Sequence, residues 1–374
     1  MKKRTFSRAL LAAVVMFGIL ALSGAVSAQG MSEEAFERVK EVQKMHTQRL
    51  LEIKGIEGTA IGLNRNARPT VKVFVSKWDV AGIPRNLDGI PVQVVVTGKF
   101  YALAKGGVPG KPPVEEPPTP DPEVPIDPTA WFERPVPIGV STGHPAITAG
   151  TIGCRVTDGT DVYALSNNHV YANLGNAIID DYVLQPGNHD GGTDPDDPFD
   201  PEDPIYPNDA IGTLAAFEEI VFTDSAENTI DVAIALSSTD LLDNATPSDG
   251  YGMPKSVPLE AKVGQKVKKY GRTTGLTKGR VSAVNATVDV NYGSEPSNLI
   301  ARFVGQIVIS PGSFSAGGDS GSLIVFDGKA KTAGDDRKPI GLLFAGSDRY
   351  TIANPISAVL DWFDELGVSI DGEE

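Results

Sequence analysis

The chain has 374 residues, 41% of them hydrophobic and 22% charged, which suits a globular protein of about two domains at roughly 100–200 residues each. Its formal net charge of −15 argues against a nucleic-acid partner, whose phosphates it would repel. The only cysteine, Cys154, rules out an internal disulfide and, in the apolar-flanked run Thr151–Val156, reads as a buried structural thiol.

Residues 1–28 read as a secretory signal: Lys2, Lys3, Arg4 and Arg8 form the positive end, Ala9 to Leu22 the apolar run, and Val26-Ser27-Ala28 the small-residue cleavage site. The apolar run is short for a membrane span of roughly 20 residues, so no stable membrane insertion is expected once it is removed. The expected destination is the periplasm or the exterior. Losing those four positive charges takes the net charge to about −19.

Residues 29–102 predict a small α+β module. Ser32-Glu33-Glu34 is a helix start, with a capping hydroxyl and acidic residues in the first turn. After Gly55 the period shortens, and Val71, Val73 and Val75 alternate with Lys72 and Phe74 as in a half-buried strand. The module is read as a pro-segment or an accessory unit. Residues 103–135 read as a linker, because nine prolines between Pro109 and Pro128 among acidic residues cannot build a core.

From 136 to 366 the chain reads as all-β, with short Val- and Ile-rich runs bounded by Gly, Asn, Asp and Pro, as in a barrel or sandwich. The predicted strands include Val162–Ser166, Thr229–Leu236, Gln265–Tyr270, Ala301–Ile309 and Ile340–Ala345. Ser357–Leu366 predicts a closing helix and residues 367–374 a tail. Gly187 to Asp209 holds eight acidic residues and no Lys or Arg; this reads as a solvated loop, with a calcium site as the alternative. No other cofactor is expected.

Three segments carry chemistry. His169 follows the strand Val162–Ser166 and is one of only four histidines. Asp231 heads an otherwise apolar run, where a carboxylate is costly to bury unless it is paired. Ser320 lies in Gly317-Gly318-Asp319-Ser320-Gly321-Ser322, whose glycines allow a sharp turn that can aim backbone N–H groups at one point. The order His, Asp, Ser differs from the Ser, Asp, His order of an α/β-hydrolase. Gly139-Val140-Ser141-Thr142-Gly143 matches a nucleophile elbow literally but precedes β-like sequence rather than a helix.

These three runs, together with Tyr270-Gly271-Arg272-Thr273-Thr274-Gly275-Leu276 and the pair Gly341–Gly346 and Tyr350–Ile356, resemble trypsin-like serine peptidases of the exported bacterial type without disulfides. The resemblance implies an all-β double barrel of the chymotrypsin type over residues 136–366, preceded by the α+β module. It implies a secreted serine endopeptidase acting on protein or peptide substrates through His169, Asp231 and Ser320. The backbone N–H groups of Gly318 and Ser320 would form the oxyanion hole, and Phe314, Phe344 and Gly346 would line the specificity pocket. Phe314 at the pocket floor is not acidic, which argues against a strict Lys or Arg preference. No new amino terminus of the Ile-Val-Gly-Gly kind precedes the barrel to pair with Asp319. The alternative is a catalytically silent binding or structural protein on the same scaffold.

Overall fold

A computed structural model describes residues 31–103, 126–193, 209–223, 226–293, 299–363 and 367–374. The signal at 1–28 and most of the acidic loop lie outside the described residues. The fold is mostly β, with few helices.

The first helix, Glu33–Leu51, begins where the sequence predicts, with the Ser32 hydroxyl accepting the Ala35 N–H at 3.2 Å. It buries Val39, Val42 and Leu50 against Val71, Val73 and Val75 of the strand Pro69–Val75. That strand is covered on both faces, not half-buried. Phe74 packs on the opposite side with Phe100, Phe303 and Phe344, and the Lys72 stem runs across the sheet until its ammonium reaches the Ser282 carbonyl at 2.8 Å.

The larger sheet has eleven strands. Six of them close a ring of pairings: Lys266–Gly271, Leu323–Phe326, Pro339–Gly346, Thr351–Pro355, Ile300–Ser310 and Gly275–Asn291, the last pairing back to the first. Val267, Ile307, Ile309, Ile324 and Leu343 of these strands form a buried apolar cluster with Phe314. The module is not set apart from this body. Its strand Ile56–Leu63 pairs antiparallel with Gly275–Asn291, so the module continues the sheet.

The six-stranded sheet runs Tyr182–Leu184, Ala210–Phe217, Ala233–Ser237, Val162–Ser166, Cys154–Thr157 and Ser369–Ile370. The expected C-terminal tail supplies the last member, Ser369 pairing with Thr157 and Ile370 with Val156. The closing helix spans Ile356–Trp362, shorter than expected, and 364–366 are outside the described residues. Residues at both ends of the expected linker are held in place. Leu103 is buried, and the Arg134 guanidinium donates to the Gln185 side chain at 2.7 Å, which fixes that stretch to the six-stranded sheet.

Candidate active site

Two sequence-remote groups meet first. The strand Val162–Ser166 ends in a one-turn helix, Asn168–Tyr171, that carries His169. The predicted strand from Thr229 starts only at Ala233, because the backbone of Asp231 is held by side chains instead of a neighbouring strand. Its N–H donates to Asn354 Oδ1 at 3.2 Å, and its carbonyl accepts from Asn354 Nδ2 at 3.0 Å and Asn167 Nδ2 at 2.7 Å.

The Asp231 carboxylate is fully buried, and every partner is a donor. Oδ2 accepts from His169 Nδ1 at 2.5 Å and from the Tyr292 hydroxyl at 2.8 Å; Oδ1 accepts the His169 backbone N–H at 3.3 Å. Burial, and then the Asp231 charge, push the Tyr292 hydroxyl well above its usual range, so it stays a donor. With Nδ1 engaged by the carboxylate, the imidazole presents Nε2. That atom is buried and has no hydrogen-bond partner among the described residues.

The serine loop is built from its glycines and Asp319. Gly318 has φ +94°, and a Cβ there would lie 2.4 Å from Thr273 Oγ1. Gly321 has φ +92° and would place a Cβ 2.2 Å from Ser166 Oγ, so the loop is pressed directly against the strand that leads to His169. Asp319 is fully buried. It accepts N–H donors from Thr273 (2.9 Å), Thr274 (3.2 Å) and Ala316 (2.8 Å), and lies 3.3 Å from Lys269 Nζ, also fully buried. An internal lysine and the turn of the Tyr270–Gly275 motif therefore satisfy the carboxylate for which the sequence offers no new amino terminus.

Ser320 is buried, and its hydroxyl donates to the Phe344 carbonyl at 3.2 Å. The structure thus joins His169 to Asp231, while the Ser320 hydroxyl is turned to Phe344. The two segments are nonetheless neighbours, since Gly150 lies between the Val170 side chain and the Ser320 carbonyl.

Phe314 is buried in an apolar cluster with Ile307, Ile309 and Leu343. Phe344 packs its ring 4.7 Å from that of Phe303 in a separate cluster, while its carbonyl accepts from the Ser320 hydroxyl. Gly346 lies where a Cβ would approach Leu103 Cδ1 at 3.3 Å.

Leu103 is the feature the sequence reading missed. The strand Phe100–Ala102 pairs antiparallel with Pro339–Gly346, Tyr101 opposite Gly346 and Ala102 opposite Ala345. Beyond it the Leu103 N–H donates to the Phe344 carbonyl at 3.3 Å, and the Leu103 carbonyl accepts the Gly318 N–H. Ala102 also borders a cavity of about 330 Å³ lined by His169, Tyr292 and His189. The available signal was the apolar run Phe100–Leu103 directly before the proline-rich stretch. Tyr292 and Asn354 had no sequence signal, because each works through tertiary contact alone.

The remaining candidates have other partners. Ser141, the elbow decoy, donates to Asp190 at 2.5 Å, and Asp190 also holds the Arg272 guanidinium, Arg272 Nε donating to Oδ2 at 2.8 Å. His46 faces Asp88 at 2.6 Å and His144 faces Asp181 at 3.1 Å. Cys154 is buried, and burial pushes its thiol far up. Among the described residues no group of three or more His, Cys, Asp or Glu could hold a metal, and most of the expected calcium loop lies outside them.

A family model described as the Nal1 C-terminal domain matches residues 249–354, under a third of the chain, which includes Ser320 but neither His169 nor Asp231. Glutamyl endopeptidase 2 of Streptomyces griseus is 48% identical over 66 residues, covering 18% of this chain and 30% of that protein. The chain therefore matches less than a third of that relative's length. Among solved structures, a glutamic acid specific serine protease is 21% identical at TM-score 0.41, covering 63% of this chain and all of that one. Protease A of Thermobifida fusca is 16% identical at TM-score 0.39, covering 63% and 98%. The chain is similar to trypsin-like serine peptidases, as its motifs imply.

Proposed function

We propose that this chain is an exported serine endopeptidase of the trypsin-like type, with its cleft between two β-barrels, and that it hydrolyses peptide bonds through Ser320, His169 and Asp231. The observation that carries the reading is the buried His169–Asp231 pair. Its unpartnered Nε2 belongs to a segment packed against the serine loop, whose Gly318 N–H already binds a backbone carbonyl.

The steps follow from the template Ser-His-Asp triad. The Ser320 side chain turns from the Phe344 carbonyl toward Nε2, which takes its proton as Oγ attacks the scissile carbonyl. The Gly318 N–H, joined by that of Ser320, binds the oxyanion; each such donor contributes roughly 3–4 kcal/mol to the transition state. His169 then passes the proton to the departing amine as the C–N bond breaks. Water, deprotonated by the same imidazole, releases the acid. Asp231, fixed by Tyr292 and Asn354, holds the tautomer and stabilises the charged ring.

Residues 29–102 serve in this reading as an inhibitory pro-segment, since the strand Phe100–Ala102 covers the edge where an extended substrate would pair.

Mass spectrometry after treatment with a biotinylated fluorophosphonate tests the reading. Ser320 is expected to carry the adduct, and Ser320→Ala to abolish it. Undiminished labelling of the Ser320→Ala protein, or no labelling of Ser320 even after the chain is cut within 104–125 and the pro-segment is removed, would contradict it.

A further inference from the structure

The substrate preference of this site can be read from what the chain itself places in it. The inference rests on the peptidase reading above.

Three backbone contacts set the frame. Tyr101 and Ala102 pair antiparallel with Gly346 and Ala345, the Leu103 N–H donates to the Phe344 carbonyl, and the Gly318 N–H donates to the Leu103 carbonyl. An extended peptide whose carbonyl is to be attacked needs this set: strand pairing on the side before the scissile bond, and an N–H donor at its carbonyl oxygen. Leu103 therefore stands where the residue before the cut bond stands, with Ala102 and Tyr101 in the two positions preceding it. Ala102 faces the His169 and Tyr292 side of the cleft.

Leu103 is 3% exposed. It belongs to a cluster with Ile307, Phe314, Leu343 and Ala353, none of which carries charge. Gly346 approaches Cδ1 so closely that a side chain there would narrow the space. The buried hydroxyls of Ser315 and Thr351 are hydrogen-bonded to each other at 2.6 Å. A carboxylate entering this apolar surround would be desolvated, and no member of the cluster carries a cation to pair with it, whereas a leucine-sized side chain gains by burial.

We propose that the site takes an apolar, leucine-sized residue before the scissile bond, and that the bond after Leu103 is a cleavage site of its own. This preference differs from the glutamate named in its Streptomyces relative. In the step, Ser320 Oγ bonds to the Leu103 carbonyl carbon as the bond to the next nitrogen breaks. The amine takes the proton held by His169, and water completes the hydrolysis. The released segment ending at Leu103 keeps its strand pairing and acts as a bound product.

The test uses the full-length protein and its Leu103→Gly variant, in which the bound segment no longer fills the pocket. Both are assayed on succinyl-Tyr-Ala-Leu-p-nitroanilide and succinyl-Tyr-Ala-Glu-p-nitroanilide, with fluorophosphonate labelling in parallel. The leucine substrate is expected to exceed the glutamate one in kcat/KM by at least about 100-fold, the scale set by burying an unpaired charge. The amino terminus at residue 104 should appear in the wild-type chain and be absent from Ser320→Ala. Equal rates or faster glutamate cleavage would overturn the preference. Labelling of Ser320 with neither substrate cut would also overturn it while leaving the peptidase reading intact. No labelling and no cleavage would overturn both.

Discussion

At the residue scale, Asp231 shows how much of a site depends on groups beyond its named members. Its carboxylate is buried with a histidine and a tyrosine hydroxyl both on Oδ2. If it fixes the imidazole for proton transfer, Asp231→Asn should lower kcat on the order of 10⁴-fold with little change in KM, as the same change does in the template triad. Tyr292→Phe keeps the ring packing and removes one donor. The carboxylate, relieved of that bond, should hold the imidazolium more strongly. The acid limb of the kcat/KM profile should move to higher pH, and stability should fall by about 1.5–3 kcal/mol, the range for a hydrogen bond to a charged group. A pH profile and a urea midpoint unchanged by Tyr292→Phe would show that Tyr292 does not tune the pair.

At the element scale, the serine loop is positioned by the turn Gly271–Gly275. Thr273 and Thr274 donate to Asp319, Thr273 Oγ1 donates to the Gly317 carbonyl at 2.6 Å, and Lys269 supplies the charge. Lys269→Met would leave Asp319 buried and unpaired, at a cost of about 3–5 kcal/mol in thermal or urea unfolding. Adding Asp319→Asn should recover part of that stability. The loop that aims the Gly318 N–H would remain altered, so catalysis should not return with it. Full recovery of both would separate this ion pair from the oxyanion donor.

The same turn marks the limit of legibility in the sequence. The run Tyr270–Gly275 stood out by its glycines and its resemblance, yet nothing in it named Asp319 as its partner, because that contact joins residues more than forty positions apart. His169 and Asp231 were legible as types that need a reason to be buried. Strand Val162–Ser166 was legible to the residue because its apolar run ends at the turn carrying His169. The strand around Asp231 was misplaced because Asn354 and Asn167, not a neighbouring strand, satisfy its backbone.

At the scale of the whole molecule, composition suggested a division into module, linker and β body, and it carried no information on where individual residues at those edges would pack. Proline content marks where a chain cannot form a core; it says nothing of the last apolar residues before it. Leu103 was assigned to the linker, yet it is buried in the larger sheet's core, and Ser369–Ile370 was assigned to a tail, yet it completes the smaller sheet. Both segments gain their order from edge strands supplied far away in sequence, which no local pattern records. The module's continuity with the larger sheet links its strands to the cleft: Phe74 packs edge-on against Phe100 at 5.9 Å, three residues before Leu103.

In the proposed reaction an imidazole, a carboxylate and a hydroxyl from three distant segments act on one carbonyl. The most direct measurement is a crystal structure of the Leu103→Gly protein after reaction with a leucine diphenyl phosphonate. Phosphorus is expected bonded to Ser320 Oγ, with the phosphonyl oxygen within hydrogen-bond distance of the Gly318 N–H and His169 Nε2 facing the adduct while Nδ1 stays on Asp231. Phosphorus on any other side chain, or a Ser320 adduct with Nε2 out of hydrogen-bond reach, would contradict it.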